Sequence, residues 1–264
     1  MRKDSEVIVR HWPEPPETID VYPVGDVHLG AAECLEKEWK AFLAQIYETP
    51  NAYLIISGDM INNATRSGVS DIFRERLSPS QQKQLMAEML APVKDRILCA
   101  VPGNHEARSR KDADDDPMYD ICAKLGIEDL YRENLAVVKL QMGDIEHGNS
   151  DLHPTYTLAV THGAGGGIYT GAALNRNERF GNVIEGADAL VVGHSHKAHI
   201  TKPSKLVINK QYNIVKERPY YVVGLSSWME YGGYAARKML LPSSRMAQVI
   251  HLGGRRNKIS VTVE

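Results

Sequence analysis

Five short apolar runs, each closing on a glycine beside polar side chains, frame this 264-residue chain. Thr18-Ile19-Asp20-Val21-Tyr22-Pro23-Val24 alternates with a period of two and reads as a strand ending at Gly25. Ala52–Ile56, Ile97–Val101, Tyr156–Thr161 and Ala189–Val192 read as buried strands ending near Gly58, Gly103, Gly163 and Gly193. At Gly103 the expectation is a turn that uses backbone angles closed to bulkier residues. Leu135–Met142 is a further strand. Leu35, Trp39, Phe42, Leu43 and Ile46 recur at helical spacing and predict a helix over Glu33–Tyr47. Leu85, Met86, Met89 and Leu90 give a second helix its stripe, and Ser78, Pro79 and Gln81 supply its capping box. Asp116 caps a helix that Pro117 starts, so Asp112 and Asp114-Asp115-Asp116 read as a solvated loop, 108–116, rather than a metal site. Another helix is expected around Asn175–Glu185, after a flexible Gly165-Gly166-Gly167 turn. Residues 1–18 read as an arm or edge strand, and Gly143–Pro154 as a polar loop. Everything past His196 reads as all-β, with strands at 206–208, 220–223, 248–250 and 259–263.

Composition narrows the class. The length suits one α/β domain, and 43% hydrophobic with 24% charged residues is ordinary for a globular protein. No apolar run approaches the ~18 residues that cross a membrane, and no signal-peptide core follows the first residues. Cys34, Cys99 and Cys122 lack metal-knuckle spacing and suit a reducing, cytoplasmic setting. The net charge of −2 hides an asymmetry: from Ser195 onward 12 Lys and Arg face only Glu217, Glu230 and Glu264. A basic last third on an acidic body fits either a polyanion-facing surface or a solvated face.

Candidate chemistry lies at the strand ends. Carboxyl ends of neighbouring strands in an α/β sheet share an edge where sites are built. That edge would collect Asp26, His28, Asp59, Asn104, His162, His194 and His196. Any one of them alone is more often structural. Together, imidazoles, carboxylates and one amide oxygen suit Mn first, with Fe or Zn as alternatives to it. Seven donors exceed what one ion with an open position needs and fit two ions sharing a carboxylate.

Asp26-x-His28, Gly58-Asp59, Gly103-Asn104-His105-Glu106, His162-Gly163 and Gly193-His194-x-His196, in this order, resemble the calcineurin-like metallophosphoesterase superfamily. The resemblance spans Gly25 to His196. It implies a single-domain β-sandwich flanked by helices, four layers in the order α/β/β/α, with two divalent ions at the strand ends. By position, Asp26, His28 and His196 would hold one ion, Asn104, His162 and His194 the other, and Asp59 would bridge them. His105 would donate a proton to the leaving oxygen, with Glu106 orienting its turn. Protein Ser/Thr phosphatases of the superfamily carry an Asp-Arg pair where this chain has Asn62 and Asn63, and an Arg where it has Pro102. The expectation is therefore hydrolysis of a phosphodiester by a hydroxide bridging the two ions, with nucleic acid or a nucleotide as the candidate partner. The alternatives are a phosphomonoesterase and a non-catalytic scaffold. Lys197, Lys202, Lys205 and Lys210 would then lie beside the cleft, His199 could support the ligands, and Trp228, Tyr231 and Tyr234 could stack on a base.

Overall fold

The computed structural model describes residues 4–66, 68, 72–144 and 153–263. Most of the expected Gly143–Pro154 loop, including His147, and the side chain of Tyr234 lie outside the described residues. In chain order the strands and helices are β1 (Ile8–Trp12), β2 (Thr18–Val24), α1 (Glu36–Glu48), β3 (Ala52–Ile56), α2 (Pro79–Leu90), β4 (Ile97–Ala100), α3 (Glu106–Ala113) and α4 (Pro117–Leu125). They continue with β5 (Leu135–Met142), β6 (Thr155–Thr161), α5 (Thr170–Gly181), β7 (Ala189–Val192), β8 (His199–Thr201) and β9 (Ser204–Asn209). The last are β10 (Ile214–Pro219), β11 (Tyr221–Gly224), α6 (Gly233–Arg237), β12 (Gln248–Gly253) and β13 (Ile259–Val263).

Two sheets stack face to face. One has the order β1-β5-β6-β7-β11-β8, the other β13-β12-β2-β3-β4, and β9 with β10 forms a separate hairpin. The period-two pattern explains the stacking. Ile19 and Val21 of β2, Ile55 of β3, and Leu158 and Val160 of β6 point between the sheets into one core. The alternate residues Tyr22, Val24, Leu54 and Ile56 point outward into a second core roofed by Trp39, Phe42, Met86, Leu90, Ile121 and others from α1, α2 and α4. Leu190, Val192 and Val222 form a third on the outer face of the six-stranded sheet, where α5 packs over β11 and β8. Each such fully buried aliphatic side chain contributes about 1.5–3 kcal/mol, so both sheet faces must be covered. The layers run α/β/β/α, as expected.

The caps are as expected: Ser78 and Gln81 form the box on α2, and Asp116 accepts from Tyr119 N–H on α4. The three cysteines are free and buried. Burial pushes the Cys34 and Cys122 thiols up to about 12. No helix among the described residues is long and apolar enough to cross a membrane.

Three expectations need correction. The charged stretch 108–116 is not a loop: most of it is α3, whose buried residues are the polar Glu106 and Ser109. A helix held by polar side chains shows no apolar stripe. The α5 helix starts at Thr170 and stops at Gly181, with buried Ala173, Asn177 and Gly181 one turn apart. That small, partly polar stripe lets the Tyr220 ring press against Gly181. Past His196 the chain is not all-β, because α6 interrupts it.

Candidate metal centre

The parallel strands β2, β3 and β4 of one sheet and β6 and β7 of the other end on the same side of the sandwich. Beyond their ends the first two turns continue to zip together: Asp26 N–H donates to Gly58 O and His28 N–H to Asp59 O, both 2.9 Å. Glycine is needed here for close approach. A Cβ on Gly58 would collide with the Gly103 backbone, and one on Gly103 with Asp59. Gly103 itself does not use the left-handed region, so its expected conformational role is replaced by a steric one.

The left-handed region is occupied instead by five of the candidate site residues. Asp26, His28, Asp59, His194 and His196 all have φ between 51° and 67°. Each costs on the order of 1 kcal/mol, and such strain clusters where surrounding structure forces it. In Asp26-Val27-His28 and His194-Ser195-His196 both outer residues adopt it. Asp26, His28 and His196 end as one group with ligand atoms within 4.8 Å of one another, and Asp59, His162 and His194 as another. Asp26, His28, Asp59 and His162 are buried.

At one end, His28 Nε2 lies 3.2 Å from His196 Nε2, and His196 Nε2 lies 3.2 Å from Asp26 Oδ1. At the other, Asn104 Oδ1 is 3.0 Å from His162 Nε2 and 2.7 Å from His194 Nδ1. Asp59 Oδ2 stands between, 3.3 Å from His162 Nε2 and 3.9 Å from His28 Nε2. All seven predicted side chains converge.

This donor set fits metal ions. His162 Nδ1–H donates to Ser57 O (2.7 Å) and His194 Nε2–H to Gly165 O (2.8 Å), which leaves the inward nitrogens as lone-pair donors. Metal-binding imidazoles are usually fixed through the far nitrogen in this way. Charge agrees: burial alone would raise Asp59, yet His105, His162 and His28 outweigh it and hold the carboxyl well below its usual range. Burial opposes protonation of His162, but the Asp59 carboxylate wins and lifts it to about 10. That proton occupies the position a cation would take, since metal binding requires neutral imidazole.

Two groups exceed expectation. Glu106, fully buried, accepts from Asp59 N–H (2.9 Å), Gly103 N–H (2.8 Å) and Ile61 N–H (3.2 Å), so one carboxylate ties two strand-end turns together. Burial, then the Asp59 charge, push it up to about 7. Glu106→Ala leaves three buried donors unpaired at about 1–3 kcal/mol each. Even after partial relaxation the variant should lose about 3 kcal/mol, a fall of roughly 10 °C in Tm for a chain of this size. Thermal unfolding reads it, and an unchanged Tm would remove Glu106 from this role.

The second is Arg108, one turn along α3 from His105, with Nη2 2.9 Å from His105 Nε2. His105 Nδ1–H donates to Asn62 O (2.7 Å). Asn62 itself turns its amide to Glu75. Only a helix makes i and i+3 neighbours, so this contact of Arg108 depends on α3 being one.

Other expected roles fall away. His199 lies over Gly224 and bonds Lys197 O and Asn177, apart from the seven. Trp228 packs on Trp39 and Phe42. Lys202 sits over the Tyr221 ring, while Lys205 bonds Gly181 O and Ile184 O beyond the end of α5. Neither lines the cleft above the cluster, whereas Lys197 does. That cleft encloses about 800 Å³, within the range of substrate pockets.

The sequence profile described as calcineurin-like phosphoesterase matches residues 20–198, which include all seven side chains and His105. Among solved structures, the chain is similar to a metallophosphoesterase from Sphaerobacter thermophilus, at 11% identity and a TM-score of 0.42, over 93% of this chain and 88% of that one. It is also similar to a conserved protein of Streptococcus pneumoniae TIGR4 named a predicted phosphoesterase, at 8% identity and 0.36, over 94% and 98%. A third is the NAD nucleotidase of Haemophilus influenzae, at 10% identity and 0.42, where 93% of this chain covers 49% of that one. None of the curated proteins matches the sequence.

Proposed function

The chain belongs to the calcineurin-like phosphoesterase family, and from that membership we propose that it hydrolyses phosphodiesters with two divalent ions at this cluster. Membership carries metal-dependent phosphate-ester hydrolysis; the diester and the pair of ions are our reading. Asp26, His28 and His196 would hold one ion, Asn104, His162 and His194 the other, with Asp59 shared. Imidazole with carboxylate and amide oxygen favours Mn, with Fe or Zn as alternatives. When bound, two such ions supply Lewis-acid polarisation and a nucleophile at neutral pH.

The chain's own residues then divide the work. His105 protonates the departing oxygen. Arg108 holds a phosphate oxygen, which is a stronger acceptor for a guanidinium than an imidazole nitrogen is. Its departure frees His105 Nε2, which takes a proton from solvent and passes it to the departing oxygen while Nδ1–H stays on Asn62 O. Glu106 fixes the turns that aim Asp59 and Asn104.

The observation that carries the diester is the reach of the cleft past both ends of the cluster. Arg108 flanks it beside His105, and Arg176 flanks it beside the Gly165-Gly166 wall that orients His194. A diester needs room on two sides of phosphorus, a monoester on one. With Mn supplied, bis(p-nitrophenyl) phosphate should be turned over with a kcat/KM about tenfold or more above p-nitrophenyl phosphate, a preference of ~1.4 kcal/mol. The reverse preference would establish a monoesterase, and no turnover with Mn, Fe or Zn would reject the function.

A further inference from the structure

The basic excess of the last third reaches the cleft by a route the lysine run did not suggest. Between Tyr231 and Val263 the chain has no acidic residue. Arg237, Lys238 and Arg245 in that stretch are exposed and line the cleft. Among the described residues none of the three makes a salt bridge. Arg176 lines the same cleft and has its buried Nε without a partner. The cleft's acids are differently placed: Glu33 is paired with Arg74, and Glu75 is taken up by Asn62 and Gln82. Glu230 alone opposes the cations on their own segment.

The segment that carries these charges is anchored at several points. Glu230 N–H donates to Glu33 O (2.8 Å), Ser226 Oγ to Met246 O (2.9 Å), and Lys197 Nζ to Leu241 O (2.8 Å). The same segment also presents apolar surface to the cleft: Tyr231, 52% exposed, with Met229 and Leu240. Cations that can follow a backbone, in one groove with an aromatic face, are what binds unpaired nucleic acid.

We infer that residues 227–245, with Arg176, form a binding track for single-stranded nucleic acid, whose backbone they would lead to the metal cluster; this rests on the phosphodiesterase reading. A duplex hides its base faces in the stack and leaves Tyr231 with no surface to meet. A small diester would use neither Arg237 nor Arg245 beyond its own phosphate.

The test is binding of a fluorescently labelled single-stranded oligonucleotide, by anisotropy with EDTA present, so that no cleavage intervenes. For wild type, log Kd should rise linearly with log salt. Combining Arg237→Glu, Lys238→Glu and Arg245→Glu removes three contacts at ~0.7 each and should lower that slope by about 2. At 0.1 M salt this is about 10²-fold weaker binding. Tyr231→Ala should weaken binding about tenfold or more with the slope unchanged, because stacking carries no counterion. A wild-type slope near zero, a triple variant that binds like wild type, or a duplex of equal length bound as tightly would each overturn the track. Failure of the phosphodiesterase reading shows separately, as wild type inert toward bis(p-nitrophenyl) phosphate.

Discussion

Replacing Asp59 with asparagine is expected to remove bound metal and turnover together. Asp59 Oδ2 stands between the His28 and His162 nitrogens, and the residue belongs to two of the three groups that, among the described residues, could hold an ion. Two divalent cations ~4 Å apart repel by roughly 17 kcal/mol at an effective dielectric of ~20. A shared carboxylate offsets part of that repulsion, and a neutral amide of the same shape does not. Elemental analysis should therefore drop from two ions per chain to one or none. The loss of kcat/KM on a diester should reach about 10³-fold, since ion pairs supply several kcal/mol to such reactions. The fold should survive. Asparagine tolerates the left-handed backbone found at Asp59, and its amide oxygen can still accept from His105 N–H, now 2.8 Å from Oδ1. A variant retaining two ions and wild-type turnover would exclude the shared role.

How far this site was legible depends on what each residue does. The strands were plain because β3 and β7 are near-continuous apolar runs, buried on both faces, while β2 and β6 begin with a period-two alternation, and all four have sharp polar ends. The seven side chains that gather beyond those ends could be named from them. The left-handed backbone of His28, His194 and His196 did not, because histidine carries no strong local signal for it. Nor did α3, whose buried side is Glu106 and Ser109. With α3 unread, neither Glu106's three backbone partners nor Arg108's contact with His105 could be derived. The basic last third is plain in the sequence, but its placement is not. Lys202 and Lys205 are spent on tyrosine rings and carbonyls, and it is Arg237, Lys238 and Arg245 that line the cleft.

His105→Ala separates proton transfer from metal binding. Its side chain reaches the cluster, with Nε2 3.9 Å from Asp59 Oδ2 and its ring 4.3 Å from that of His28. It could therefore be a ligand, and a group of His28, Asp59 and His105 has ligand geometry of its own. The hydrogen bonds favour the other role. Nδ1–H is fixed on Asn62 O, and Nε2 faces the Arg108 guanidinium, a cation that a metal-bound nitrogen could not accept from. Truncation should leave both ions bound and slow turnover by roughly 10²–10⁴-fold, the usual worth of a positioned acid. The deficit should grow with the basicity of the leaving group: smallest for p-nitrophenolate, which departs unprotonated, and largest for an alkoxide. Elemental analysis of the variant, beside rates across a series of leaving groups, makes the decision. One missing ion with a deficit independent of the leaving group would make His105 a ligand and move the proton donor elsewhere in the cleft.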